Sequence, residues 1–443
     1  MGFKFLDLTV DTSALYTTEQ RGRTGGIVGH APGVTALEAT LYRNRGDAET
    51  AYSTTSGLGR SMAAFFQNRG KQAWGVVHES TSETQRTFSG TGSKRDFELP
   101  YYPLPPLTVQ ADLGSGIQAV TEGTHYEVDW GNKTIWFEAD YIPINGTDNI
   151  LVDGYSVTPA QVEAALDQLL YEDCQLAGIS YCFDPDVQEM LKDYLLTADS
   201  EGNFQFGYVN LPKGEADSGN VATHILSLRT ELLACLAHNS LKDPASALLG
   251  VTSYYAPNVP MAFKEVLGLE QTSWFTNDQI TTLTGDFRAS TGLNVMTIDR
   301  VDRRSTTAVT GPGMTLSEDD SLRWIDTVRV IQEVKYGVTQ ELVSPRYIAN
   351  PTAGYDKEGM QVQRNGLHRA FGIFAIEPRR YLQGYELRIH IEELIDKTDL
   401  TPAEQALLDT SILNRYLDWE AEVVYRGAPH SMSGVVRFVP TSA

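Results

Sequence analysis

Positive charge is scarce in this sequence. Its 57 acidic residues face only 35 lysines and arginines, for a formal net charge of −22. A surface with that balance repels phosphate backbones and anionic lipid, so neither nucleic acid nor a membrane is an expected partner. Cysteine is rare as well. Cys174, Cys182 and Cys235 are an odd number without a C-x-x-C pair, and read as small buried residues of a chain assembled in a reducing compartment. No uninterrupted apolar run approaches the ~18 residues of a membrane-spanning helix. Asp7 arrives too early for a secretory apolar segment, so the expectation is a soluble chain made inside a cell.

Signatures of catalysis are missing too. There is no H-E-x-x-H, and no His pair at i, i+4 on a helix. His224 and His238 fall on what reads as one helix and could share a face, but ordinary hydrogen-bonded histidines are the simpler reading. Gly25-Gly26-Ile27-Val28-Gly29 has neither the G-x-G-x-x-G spacing nor the Lys-Ser/Thr of a phosphate loop and reads as a tight turn. No G-x-S-x-G elbow occurs. Asp184-Pro185-Asp186 and Glu318-Asp319-Asp320 stand at expected helix starts, where carboxylates act as caps. No catalytic residue, cofactor or metal ligand is expected.

Core material is ordinary, with 41% apolar and 10% aromatic residues. The 443 residues suffice for two to four domains of roughly 100–200 residues each. Residues 3–15 alternate as a strand does, with Phe3, Phe5, Leu8 and Val10 apolar and no turn signal before Gly22. Such a strand pairs either within its own chain or with a neighbour, and both remain open. A short strand from Gly25, a helix over Leu58–Gln67 and a strand over Gln72–Glu79 form a unit whose default pairing is parallel. Phe97–Tyr155 alternates again, with turns at Trp130-Gly131-Asn132-Lys133 and Asn145-Gly146, and is expected to be a self-contained β insert.

Thr158-Pro159 opens the next helix, running to about Tyr171. Strands over 175–183, 204–211, 247–257 and 292–301 then alternate with helices starting at Asp186 and spanning about Val221–Asn239, so an α/β domain resumes. Beyond Gly313 the pattern gives a helix over Ser317–Tyr336, one over Met360–Ala375, and a helix-like stretch from Thr401 to Leu413. Strands follow at 385–394, 419–426 and 434–439. The 317–336 helix is apolar over most of its circumference apart from a stripe of Asp326, Arg329 and Glu333. That stripe either pairs internally or meets a partner.

The order of these segments resembles the tail sheath proteins of contractile phages, R-type bacteriocins and related injection systems. The matching residues begin with Gly26-Ile27-Val28-Gly29-His30-Ala31-Pro32-Gly33, then Phe65-Phe66-Gln67-Asn68-Arg69-Gly70 and Trp74-Gly75-Val76-Val77. They continue with Ala256-Pro257-Asn258-Val259-Pro260-Met261-Ala262, a segment starting at Trp274, Gly292-Leu293-Asn294-Val295-Met296, and Arg323-Trp324-Ile325-Asp326-Thr327-Val328. Most of the chain is covered. Arg69 stands where the pattern has a second glycine, and residues 395–415 add an element within the C-terminal strand region.

The resemblance implies an α/β multidomain protein: an α+β inner domain, an outer α/β domain, a small all-β insertion, and terminal strands exchanged between subunits. The expected divisions are a strand arm over 1–24, outer domain over 25–85 and 158–301, β insertion over 86–157, and inner domain over 302–443. It further implies a virion tail or injection particle assembled in a host cytoplasm. Its subunits would form a helical homopolymer of hexameric rings around an inner tail tube protein, capped by baseplate and tail terminator proteins, and contract to drive the tube through a target envelope. Phe3, Phe5, Leu8, Val10, Val435, Val436 and Phe438 become the inter-subunit strand candidates. Asp326, Arg329 and Glu333 become tube-facing candidates. Another virion, baseplate or tube component is the alternative, and a soluble α/β enzyme a more distant one.

Overall fold

The structure is a computed structural model that describes residues 24–285, 292–300, 305–342, 355–376, 381–389, 391–395, 397–414 and 419–427. Two compact units divide the chain, Met1–Ile325 and Asp326–Ala443. The terminal strand candidates Phe3, Phe5, Leu8, Val10, Val435, Val436 and Phe438 lie outside the described residues.

The first unit opens with strands β1 (Thr24–Gly29) and β2 (Ala39–Tyr42), helices α1 (Arg45–Tyr52) and α2 (Gly57–Gln67), and strand β3 (Gln72–Val77). Ser56 caps α2 by accepting the Gly59 N–H at 3.0 Å. The glycines of β1 are there for packing. A Cβ at Gly25 would stand 2.7 Å from the Phe65 ring of α2, and one at Gly29 2.6 Å from Ser180 Cβ, so a side chain would push its neighbours away. The short strand expected from Gly25 is present as Thr24–Gly29, with no turn inside the glycine run.

Seven antiparallel strands follow: β4 (Thr81–Gly90), β5 (Asp96–Glu98), β6 (Leu104–Asp112), β7 (Ile117–Val120), β8 (Tyr126–Asp129), β9 (Thr134–Phe137) and β10 (Gly146–Ser156). They make a four-stranded sheet ordered β4–β10–β6–β7 and a three-stranded one ordered β5–β9–β8. Phe97, Val109, Tyr126, Ile135, Phe137 and Val152 fill the space between. The module is not self-contained, because Tyr181 and Phe183 of the α/β domain belong to the same core.

The α/β domain resumes with α3 (Pro159–Leu166), β11 (Leu176–Ile179), α4 (Pro185–Ser200), β12 (Phe206–Asn210), α5 (Ser218–Ile225), β13 (Leu233–Ala237), α6 (Pro244–Tyr254), α7 (Asn277–Thr284), β14 (Met296–Arg300) and β15 (Ala308–Thr310). Its sheet runs β2–β3–β1–β11–β12–β13–β14–β15. The six central strands are parallel, while β2 and β15 pair antiparallel at the edges. Two expectations fail here. The 221–239 helix ends at Ile225 and gives way to strand β13, and the 247–257 strand is helix α6. Both segments are buried, α6 on all ten residues from Pro244 to Ser253, so neither shows the one-sided periodicity that separates helix from strand.

In the second unit lie α8 (Ile325–Leu342), which begins at the unit boundary, α9 (Lys357–Ala375), β16 (Leu382–Ile389), α10 (Glu392–Ile395), α11 (Pro402–Asn414) and β17 (Trp419–Tyr425). The helix expected from Ser317 starts eight residues later. Ahead of it is a 3₁₀ turn, Asp320–Leu322, capped by Asp319 through the Ser321 N–H. Val330, Val334 and Val338 of α8 pack with Phe371 and Phe374 of α9 and Leu382 of β16. Gly337 allows the approach, since a Cβ there would meet the Phe374 ring at 2.4 Å. Strands β16 and β17 are antiparallel and, among the described residues, pair only with each other.

Candidate functional site

In a doubly wound sheet, ligands sit where the strand order reverses, beyond the carboxyl ends of the strands. Here the chain moves from β1 outward to β3 and then returns to place β11 on the other side, so the reversal lies between β1 and β11. That position holds a buried carboxyl group, Asp243, at the N-cap of α6. Its Oδ2 accepts from Ser61 Oγ at 2.8 Å, Ser246 Oγ at 2.5 Å and the Tyr181 N–H at 3.3 Å. Its Oδ1 accepts from Asn210 Nδ2 at 2.8 Å and the Ala245 N–H at 3.1 Å. Ser180 Oγ lies 2.7 Å from Ser61 Oγ. Asp243, Ser61, Ser180, Asn210 and Ser246 are all buried. Strands β11 and β12 and helices α2 and α6 are thus tied together at the usual ligand position by polar groups that satisfy one another.

A cleft of about 1120 Å³ opens between the β module and the α/β domain. Many of its charges are matched. Arg60 makes a bidentate pair with Glu122 at 3.0 and 2.7 Å and lies 5.7 Å from the Trp130 ring centroid. Arg45 pairs with Glu49, Lys213 with Asp129, and Lys242 with Glu270. No histidine or cysteine is among the lining residues, so the cleft presents no His- or Cys-based nucleophile and base. Elsewhere, Asp184 accepts the Asp186 N–H at 3.1 Å as the cap of α4, the role expected of both acidic clusters. Among the described residues no group of three His, Cys, Asp or Glu is placed to hold a metal, and no helix is long and apolar enough to cross a membrane.

Four of the described histidines are held within the fold. His224 is on α5 while His238 follows β13, so they share no helix face. His238 Nε2 lies 3.0 Å from the Leu211 carbonyl and its Nδ1 accepts the Ser240 N–H at 3.2 Å, an arrangement that requires the neutral ring. His30 and His78 directly follow β1 and β3, with ring centroids 6.2 Å apart, and the Tyr155 ring of β10 lies 4.2 Å from that of His30. Burial lowers the pKa of His30, His78, His224 and His238 to about 4 each, with His78 adding to the effect at His30. Below the ordinary 6.5 the unfolded chain gains protons that the folded chain refuses until about pH 4. Stability from these rings is therefore full above pH 6.5 and is lost as pH falls. Thermal melts should show the midpoint falling by several degrees between pH 7.5 and 5; a flat or rising midpoint would contradict it.

The stripe on α8 is placed unevenly. Asp326 and Arg329 are buried, whereas Glu333 is half-buried. Asp326 Oδ2 accepts from Tyr425 Oη of β17 at 2.7 Å. Burial and that carboxylate push the Tyr425 phenol well above its ordinary range, which keeps it a donor. Next to Tyr425, Val423 and Val424 are 42% and 48% exposed, one apolar side chain on each face of a ribbon of two strands.

The β module interrupts a doubly wound α/β domain between its second and third parallel strands in chain order, and a helix-and-ribbon unit follows; this fold is similar to that of solved tail sheath proteins. The structure aligns with the contracted sheath complex of an extracellular contractile injection system, PVC, at a TM-score of 0.56 and 11% identity, covering 94% of this chain and 91% of that one. It aligns with the contracted helical sheath of the anti-feeding prophage at 0.54 and 12%, covering 94% and 93%. With a sheath tail protein from Desulfitobacterium hafniense the values are 0.54 and 10%, covering 88% and 93%. No family model and no curated protein matches the sequence.

Proposed function

We propose that this chain is a structural, non-enzymatic subunit of a contractile tail sheath or injection-machine sheath, which polymerises around an inner tube and contracts to drive it. The observation that carries this reading is a fold shared over about nine-tenths of the chain with sheath proteins. The switch point is consistent with it, because Asp243, which lines the cleft, is committed to donors of its own chain. Contraction then repacks inter-subunit faces of a kinetically trapped lattice, and needs no nucleotide site in the subunit.

Strand exchange fits the β16–β17 ribbon, since a two-stranded sheet is marginal alone and gains from added strands. The terminal segments containing Phe3, Phe5, Leu8 and Val10, and Val435, Val436 and Phe438, are the proposed donors. A tube contact through α8 would run through half-buried Glu333, with Asp326 and Arg329 supporting it from within. Negative-stain microscopy of the concentrated protein, alone and with its tube protein, should show long hollow tubes built from six-fold rings. Strict monomers under all conditions would refute the proposal, and short discrete rings would favour a baseplate component.

A further inference from the structure

Two residues on the surface of the first unit hold a backbone conformation that their side chains disfavour. Arg69, after α2, has φ +71°, and Phe263, in the loop after α6, has φ +56°. For a bulky residue a positive φ is an outlier that the surroundings must impose. At Phe263 they are explicit. The Phe263 N–H donates to the Thr310 carbonyl at 2.9 Å and the Lys264 N–H to Thr310 Oγ1 at 2.8 Å. Thr310 N–H donates back to the Lys264 carbonyl at 2.9 Å, and Thr310 Oγ1 bonds the Met261 carbonyl. Thr310 of β15 thus clamps the loop on both sides of Phe263. The result is a phenyl ring 68% exposed. Tyr181, the other aromatic residue with positive φ, at +49°, is buried in the core of the β module, so its strain serves packing. Nothing comparable is packed by Phe263.

Arg69 begins a chain of contacts that ends on Lys264, the residue after Phe263. Arg69 lies over the Tyr254 ring at 5.0 Å, Tyr254 meets Tyr255 edge-on at 5.1 Å, and Lys264 lies over Tyr255 at 4.6 Å. Tyr254 is 41% exposed. The outcome is an aromatic surface carrying two cations on a chain of net charge −22. We propose that Phe263, Tyr254, Arg69 and Lys264 form a contact patch that docks on an acidic surface of a second copy of this chain. Copies of so acidic a protein repel one another, and a held aromatic anchor flanked by cations is the complement of the surface each has in excess. Because patch and acceptor differ, the contact is heterologous and leaves a free patch on every added copy, so it propagates. This inference rests on the proposed polymerisation and names one of its contacts.

The strain makes the test specific. Glycine adopts positive φ freely, so F263G and R69G should leave the melting temperature unchanged or higher while weakening assembly. Polymerisation of the full chain, followed by light scattering and sedimentation, should show the critical concentration rising roughly tenfold or more for F263G and for the R69E/K264E pair. A photo-crosslinking residue at position 263 should join two copies in wild-type polymers. Variants that polymerise as wild type does, or crosslinks found only within one copy or to the tube protein, would overturn the patch while leaving polymerisation in place. A wild-type chain that never polymerises would overturn both.

Discussion

Replacing Asp243 with alanine should destabilise the first unit by about 3–5 kcal/mol, the range found when one member of a buried polar network is removed. Five donors converge on this carboxyl group: two serine hydroxyls, an asparagine amide and two backbone N–H groups. Each donor stranded in the interior costs about 1–3 kcal/mol. The Ala245 N–H has a second acceptor in Asn210 Oδ1 at 2.9 Å and is partly spared. Asp243→Asn keeps one acceptor oxygen but turns N–H groups toward other donors, so it should fall between wild type and alanine. Denaturant unfolding followed by tryptophan fluorescence checks the order. An alanine variant as stable as wild type would mean that the network contributes little to the core. The effect should be confined to stability, because the network faces its own donors rather than a substrate.

Asp243 also marks a limit of reading the chain as text. Its partners are close in space but distant in sequence, with Ser61 182 positions away and Asn210 33. No short motif gathers them. The local signal at the same place was legible, since Asp243-Pro244 is an N-cap followed by proline at the first helical position. It loses to the apolar run after it because α6 has no polar face to announce a helix. The reverse error at β13 has the same origin: Leu233–Ala237 is buried at every residue, which suits a central parallel strand and a buried helix equally.

Elements with one wet face or a strong cap were easier. Asp184-Pro185 announced α4, and alternation announced β8 and β9 around the Trp130–Lys133 turn. Helix α9 was expected over Met360–Ala375, and it buries Met360, Leu367, Phe371 and Phe374. The order of such elements was enough to suggest the fold. What the pattern could not reveal was how segments share cores: Tyr181 and Phe183 finishing the β module, or Asp326 reaching Tyr425 at the far end of the ribbon. These depend on pairings 99 positions apart in the case of Asp326 and Tyr425.

Removing residues 1–15 should leave a soluble, cooperatively melting subunit that no longer polymerises. The segment carries Phe3, Phe5, Leu8 and Val10 on an alternating pattern, and so has the character of a strand with one apolar face. The described α/β sheet begins at Thr24 and pairs β1 with β3 and β11 on its two sides, so among the described residues both sides of its first strand are already taken. In the second unit, β16 and β17 have outer edges that no other described strand pairs, and Val423 and Val424 are substantially exposed. An edge of that kind is an aggregation hazard unless it is occupied. A strand donated from a neighbour would supply both a backbone ladder and an apolar face. If so, truncation removes the donor and keeps the acceptor: sedimentation should find monomers at concentrations where the intact chain forms tubes, with a melting temperature within a few degrees of wild type. A synthetic peptide of residues 1–15 should then bind the truncated chain, and fail to bind when Val423 and Val424 are both changed to lysine. Failure of the truncated chain to fold would place the strand in its own subunit's core. Normal polymerisation would show that the linkage does not run through this end of the chain.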